Sequence, residues 1–179
     1  MIHRDIKATN VLLDSDLTPK ISDFGLAKLD EEEYTHITTR VAGTMGHLTY
    51  KADVYSFGVL ALEIVSGRSN MKHRPTEESI CLVDWVVSLK QKRSLMDLVD
   101  PRLDSDFNKN EALRMIEIAV LCINKSPAHR PTMSEVVNML EGNIEIKEPD
   151  FNLITSGDKL RLQALNLKLD RGDTFPLLW

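Results

Sequence analysis

Three side chains near the start of the chain could hold a metal ion and place a negative charge beside a reacting hydroxyl. Asp5 and Asn10 lie in one polar stretch, HRDIKATN at residues 3–10, and Asp23 follows in the stretch DFG. Carboxylate and amide oxygens are hard ligands that suit Mg²⁺. A carboxylate beside a hydroxyl can accept or orient its proton. HRD or DFG alone is a common tripeptide, but the two in this order, joined by a strand–turn–strand pattern, indicate a site.

The elements that must position these side chains begin with a predicted hairpin. Residues 11–13 and 20–21 supply its strands, and Asp14, Ser15, Asp16 and Pro19 supply its turn. Residues 30–44 follow, with four acids in a row and no apolar period. That composition predicts a loop.

Helices are predicted for most of the remaining domain. The stretch DVYSFGVLALEIVSG is apolar nearly all round, with Phe57 and Ile64 among the residues at core spacing, which predicts a central helix that Gly67 caps. Further helices are predicted within residues 79–100, 111–123 and 132–142, the last with a capping box formed by Thr132 and Glu135 and an end at Gly142. The predicted fold is mainly α with a small β-hairpin. Residues 1–142 form one domain, and residues 143–179 form a tail of low order.

Composition narrows the class of protein. The chain has 179 residues, 42% hydrophobic and 27% charged, which is typical of one soluble globular domain. Its formal charge of −5 gives no support for a nucleic-acid partner or direct membrane insertion, and no signal peptide or apolar span of roughly 20 residues is visible. A cytoplasmic location is expected. Cys81 and Cys122 lie in apolar runs, which predicts buried reduced thiols, and no cysteine–histidine cluster suggests zinc.

Several stretches resemble the protein kinases, and within them the plant leucine-rich-repeat receptor-like Ser/Thr kinases. These are HRDIKATNVLLD, KISDFGLAKL, THITTRVAGT, KADVYSFGVLALEIVSG and HRPTMSEVVNMLEG. The resemblance covers residues 1–142, close to the whole of a kinase C-terminal lobe. It implies transfer of the ATP γ-phosphoryl group to protein Ser or Thr in receptor-like kinase signalling, with ATP and Mg²⁺ as cofactors. Members of the family that the chain resembles are anchored in the plasma membrane.

The resemblance also implies roles in the chemistry for individual residues. Asp5 would be the catalytic base, and Lys7 would pair with the transferred phosphate, which implies Ser/Thr rather than Tyr specificity. Asn10 and Asp23 would be the magnesium ligands that bind the nucleotide. Thr44 would lie near Asp5 and help to place the substrate hydroxyl.

A second group of residues would regulate or support that site. Arg4 would bind a phosphorylated residue of the activation loop, for which Thr38 and Thr39 are favoured over Thr35. Asp53 would tie the apolar helix to the backbone of the HRD loop. The alternative is that these are plain surface threonines and an acid at a helix N-terminus.

The sequence departs from the family in two places. The eight glycines never form GxGxxG, and no strand lysine precedes the HRD loop, so half of the ATP pocket is expected to be missing. No Ala-Pro-Glu motif occurs after RVAGT, as if a short piece near Met45 and Gly46 had been removed. Arg130 would then lack its glutamate partner, at an expected cost of about 3–5 kcal/mol unless its guanidinium reaches water.

Three interpretations of the chain therefore remain open from the sequence. By its resemblance the chain would be a Ser/Thr protein kinase, but a truncated lobe of this kind is expected to be inactive alone. It could instead be a non-catalytic module that binds protein substrates or an intact receptor-like kinase. It could also be a partial gene product with no role of its own. Removal of the N-terminal lobe would expose apolar surface on the hairpin side, which favours a partner or aggregation.

Overall fold

The computed structural model describes residues 1–27, 50–70 and 81–147. Within these ranges the chain forms two strands and then four α-helices: β1 (Val11–Leu13), β2 (Pro19–Ile21), α1 (Lys51–Ser66), α2 (Leu82–Gln91), α3 (Lys109–Cys122) and α4 (Met133–Leu140). Short 3₁₀ helices lie between them, at Ala8–Asn10, Phe24–Leu26, Leu95–Leu98, Pro101–Leu103 and Pro127–His129. The prediction of a mainly α fold with a small hairpin is confirmed. None of the helices described is both long enough and apolar enough to cross a membrane.

The hairpin pairs β1 and β2 in antiparallel register, with Leu12 opposite Lys20 and Leu13 opposite Pro19. Assigning Pro19 to the turn was wrong, because it is the first residue of β2. Proline is tolerated at the start of an edge strand, where no ladder bond needs its missing N–H. This register matters for the site. Asn10 directly precedes β1 and Ser22 directly follows β2, so the two residues lie side by side at the open end of the hairpin.

The core consists of two clusters of buried side chains arranged around α1. The larger joins α1, α2, α3 and the 3₁₀ helix Leu95–Leu98, and the smaller joins α1, α3 and α4. The smaller contains Val54, Ile118, Cys122, Val136 and Met139. Burial of these side chains supplies most of the driving force for folding.

The chain beyond α4 is described only as far as Lys147. Ile146, within the predicted tail, packs against the smaller cluster. The rest of the predicted tail lies outside the described residues, so its low order stays a prediction.

Helix α1 is largely buried, as its composition predicts, but not on every face. Val54, Ala61 and Leu62 are almost completely covered. Placing Ile64 on the core face was wrong, because its side chain is 65% exposed. Ile64 follows the buried Leu62 by two residues, about 200° round the helix, so it lies on the opposite face from Leu62. Gly67 ends the helix in the left-handed conformation, with φ 61°.

Gly58 allows α1 and α3 to approach closely. A Cβ atom on this residue would lie 2.7 Å from the Cβ of Cys122 and 2.9 Å from the carbonyl oxygen of Ala119. We expect Gly58→Ala to lower the free energy of unfolding by about 1–3 kcal/mol, because the helices must separate to admit the methyl group. Urea unfolding followed by circular dichroism measures this. Ile64→Ala, at an exposed position of the same helix, should change it by less than about 0.5 kcal/mol; similar losses for both would contradict the close approach.

The two cysteines differ in environment. Cys122 is fully buried, whereas Cys81 is partly exposed and its thiol donates to the Asn70 side-chain oxygen at 3.0 Å. The prediction of a buried, reduced thiol is therefore confirmed for Cys122, and the prediction of burial is wrong for Cys81. Burial raises the pKa of the Cys122 thiol to about 12.

That raised pKa predicts a loss of stability in mild alkali. Between pH 8 and 10 the Cys122 thiol ionises in the unfolded chain but stays protonated in the folded one, so the unfolded state binds fewer protons and stability falls as pH rises. We expect a loss of about 1–2 kcal/mol over this range. Urea unfolding at pH 8, 9 and 10 measures it. The Cys122→Ala variant should lack this part of the slope, and an unchanged slope would refute the assignment.

Candidate functional site

The hairpin brings the HRD loop and the DFG stretch together. The N–H of Ser22 donates to the carbonyl oxygen of Asn10 at 2.8 Å, and the Ser22 hydroxyl donates to the same oxygen at 3.0 Å. Asn10 is buried, and Asp23 is the next residue after Ser22. The two predicted magnesium ligands therefore lie at one end of the hairpin.

His3 connects both stretches through its ring. Its Nε2 lies 3.0 Å from the carbonyl oxygen of Ser22, and its Nδ1 accepts a hydrogen bond from the Asp5 N–H at 3.3 Å. An accepting Nδ1 leaves the proton on Nε2, which then donates to Ser22. The ring also packs edge-on against Phe24, with 4.6 Å between the ring centroids. Sequence reasoning gave His3 no role, and its position beside Arg4 and Asp5 was the only signal.

The Asp53 side chain holds the backbone of the HRD loop through two hydrogen bonds. Its carboxylate accepts from the N–H of His3 at 2.6 Å and from the N–H of Arg4 at 2.8 Å. Arg4 has a φ of 74°, a left-handed conformation that is costly for a residue with a Cβ. Two charge-assisted bonds from consecutive N–H groups offset that cost. Asp53 lies in the first turn of α1, where the helix dipole favours an acid.

Asp5 is surrounded by donors that favour its charged form. Lys7 Nζ lies 2.7 Å from Asp5 Oδ2, and Asn10 Nδ2 donates to the same oxygen at 3.0 Å. The hydrogen bond from Lys7 is the largest cause that holds the pKa of Asp5 below its ordinary value, and partial burial opposes it. Asp5 is therefore a carboxylate at neutral pH, the form that can accept a proton.

Asn10 and Asp23 have the oxygen chemistry that Mg²⁺ requires. The Nδ2 group of Asn10 also donates to the carbonyl oxygen of Asp5 at 2.9 Å, so Oδ1 is the atom that would coordinate a bound ion. Asp23 is exposed, and among the described residues it accepts a hydrogen bond only from the Gly25 N–H, at a long 3.4 Å. Two protein oxygens fit an ion that normally keeps waters and phosphate oxygens among its ligands. Within the described ranges no cluster of three or more His, Cys, Asp or Glu side chains is placed to hold a metal.

The predicted regulatory residues are only partly described. The Arg4 guanidinium is partly exposed and has no hydrogen-bond or ion-pair partner among the described residues. Thr35, Thr38, Thr39 and Thr44 lie outside the described residues. Their predicted contacts with Arg4 or the catalytic loop therefore stay predictions.

Arg130 is held without a carboxylate among the described residues. Its guanidinium donates to three carbonyl oxygens, those of Asn124 at 2.6 Å, Lys51 at 2.9 Å and Lys125 at 3.3 Å. It also lies 4.9 Å from the centroid of the Tyr55 ring, a cation–π distance. The alternative left open by the sequence, that the Arg130 guanidinium reaches water, is wrong, because the residue is only 5% exposed. This burial lowers the pKa of Arg130.

Comparison with known proteins supports the family that the sequence motifs indicate. The sequence model of the family described as "Protein tyrosine and serine/threonine kinase" matches residues 1–140. Two probable LRR receptor-like serine/threonine-protein kinases of Arabidopsis thaliana are each 60% identical to the chain, in alignments of 159 and 178 residues that cover 83% and 93% of this chain. A probable leucine-rich repeat receptor-like serine/threonine-protein kinase of the same plant is 60% identical in an alignment of 153 residues that covers 80% of this chain. The matched regions are only 15%, 19% and 15% of these relatives' own lengths.

Proposed function

Since the chain belongs to the protein tyrosine and serine/threonine kinase family, we propose that residues 1–142 supply the catalytic half of a Ser/Thr protein kinase site. The substrates are protein Ser or Thr hydroxyls, and the phosphoryl donor is ATP. The observation that carries this proposal is the close arrangement of Asp5, Asn10 and the DFG stretch around the end of the hairpin.

In this proposal Asp5 accepts the proton of the substrate hydroxyl. Its carboxylate is ionised at neutral pH because Lys7 and Asn10 donate to it. The Lys7 ammonium is half-exposed and adjacent, so it can turn from Asp5 to the transferred phosphoryl group and neutralise part of its charge. Asn10 Oδ1 and the Asp23 carboxylate would hold Mg²⁺, which neutralises phosphate charge when it is bound.

We further propose that these 179 residues do not transfer phosphate by themselves. Phosphoryl transfer depends mostly on positioning and electrostatic stabilisation. The sequence contains no GxGxxG loop to cover the phosphates. Asp5, Lys7 and the two magnesium ligands would then need a glycine-rich lobe, supplied by further chain or by another molecule, to become effective.

The role of Asp5 is tested in a context that supplies the other lobe. Residues 1–27 replace the matching segment in the kinase domain of one of the 60% identical Arabidopsis relatives, and phosphate transfer is measured with and without Asp5→Asn. We expect the substitution to reduce kcat about 10²–10⁴-fold, the usual contribution of a general base. Asp14→Asn, an acid in the hairpin turn, should leave transfer unchanged. Equal activity of the Asp5→Asn graft and its parent would overturn the proposal.

A second candidate function is an interaction module, and the surface of the hairpin side favours it. Several apolar side chains there are exposed by 47–64%: Leu12, Leu13, Ile21, Phe24 and Leu26. Patches of this kind commonly mark interfaces. Sedimentation of the purified chain mixed with a purified receptor-like kinase domain tests this function. Binding that Leu13→Asp abolishes would support it, and no complex at micromolar concentration would exclude it.

A further inference from the structure

The first turn of α1 is fastened to the loop before α4 by a reciprocal pair of hydrogen bonds. The Lys51 ammonium donates to the carbonyl oxygen of Arg130, and the Arg130 guanidinium donates to the carbonyl oxygen of Lys51 at 2.9 Å. The two residues are 79 positions apart in the chain. Each side chain thus binds the backbone of the other residue, which fixes both backbones relative to each other.

Each cation of this pair also lies over an aromatic ring. Lys51 Nζ is 5.4 Å from the centroid of the Tyr50 ring, and the Arg130 guanidinium is 4.9 Å from that of Tyr55. Two positive groups at the positive end of a helix dipole repel each other and the dipole. Carbonyl oxygens and ring faces offset this repulsion because both present negative charge to the cations.

We propose that Lys51 is a positioning residue, which together with Arg130 sets the first turn of α1 and thereby the Asp53 carboxylate that holds the HRD loop. Asp53 is two residues after Lys51, within the turn that the pair fastens. Its bonds to His3 and Arg4 are short, at 2.6 and 2.8 Å, so a small displacement of this turn lengthens both.

The effect reaches Asp5 through the backbone. When Asp53 loses its hold, Arg4 relaxes from the left-handed conformation, and the Asp5 N–H that contacts His3 moves with it. The inference rests on the proposed function only in treating this loop as catalytic. The contacts themselves can be tested without nucleotide or phosphate transfer.

The test is amide hydrogen exchange, read by NMR on the whole 179-residue chain. Lys51→Met keeps the aliphatic stem but removes the donor, and Lys51→Arg keeps a donor. We expect Lys51→Met to speed exchange at the His3 and Arg4 amides at least tenfold, relative to the amides of the α4 core. Lys51→Arg should restore most of the protection. Lys109→Met serves as the matched control, because Lys109 is the first residue of α3 and is exposed.

Three outcomes with these variants would overturn the proposal. The first is unchanged exchange at the His3 and Arg4 amides in Lys51→Met. The second is equal acceleration at the HRD loop and in the α4 core, which indicates general destabilisation. The third is the same loop effect in Lys109→Met. If Lys51→Met does not fold, the proposal is tested instead by amide hydrogen exchange of the unsubstituted chain at low guanidinium concentrations. The amides of His3, Arg4 and Val54 must then open as one unit, and separate opening refutes the link. An inactive kinase graft together with the expected exchange results, faster exchange at His3 and Arg4 in Lys51→Met and its rescue in Lys51→Arg, would overturn the function but not the positioning.

Discussion

Arg130→Met lowers the free energy of unfolding by about 3 kcal/mol in our expectation. Three carbonyl oxygens lose a charged donor, and each such bond contributes about 1.5–3 kcal/mol. The buried guanidinium itself costs several kcal/mol to desolvate, and its removal returns that cost. The difference is a loss, because methionine fills the space but leaves all three oxygens without their donor. Urea unfolding monitored by circular dichroism measures it.

A matched substitution separates this effect from the simple loss of a positive charge. Arg102 pairs with Asp100 at 2.7 Å, but its side chain is 61% exposed. Arg102→Met should therefore cost much less than Arg130→Met, because exposed ion pairs are weak. Equal losses for the two variants would contradict the buried carbonyl arrangement around Arg130.

Asp53→Ala is expected to cost about 2–4 kcal/mol, the second large effect. The N–H groups of His3 and Arg4 lose a charged acceptor, and these hydrogen bonds then no longer offset the cost of the positive φ of Arg4. The loss should be concentrated in the HRD loop, so amide exchange there should increase more than in α4. Urea unfolding gives the total, and exchange at the two amides gives its location.

Graded substitutions sharpen the prediction for Asp53. Asp53→Asn keeps one acceptor oxygen and places an NH₂ group against the other N–H, so its stability should lie between that of the unsubstituted chain and that of Asp53→Ala. Asp106→Ala, at an exposed acid before α3, should be nearly neutral. If Asp53→Asn were as stable as the unsubstituted chain, the two backbone bonds would not be what holds the loop.

Both predictions concern one series of contacts, which connects the loop before α4 to the HRD loop. Arg130 binds the carbonyl of Lys51, α1 carries Asp53, and Asp53 binds the HRD loop. The absence of an Ala-Pro-Glu motif from the sequence led to the expectation of a poorly satisfied Arg130. Backbone carbonyls satisfy it instead, which explains how this buried cation is retained without a carboxylate among the described residues.

Local features were predictable from the sequence because their partners lie only a few residues apart. The capping box of α4 is present, with Thr132 Oγ1 accepting from the Glu135 N–H and Glu135 accepting from the Thr132 N–H. The left-handed cap at Gly67 and the strands of the hairpin were predictable for the same reason. The motifs HRD and DFG also indicated the family, because kinase chemistry requires those residue types in that order.

What only the tertiary structure decided are the contacts between residues far apart in the chain. Ile64 and Leu62 are equally apolar in sequence, yet one is exposed and the other buried, because α2 and α3 cover only part of α1. The reciprocal pair of hydrogen bonds between Lys51 and Arg130 likewise could not be predicted from any local sequence pattern. Side-chain periodicity reports which face of a helix is apolar, but the geometry of packing determines which groups meet across it.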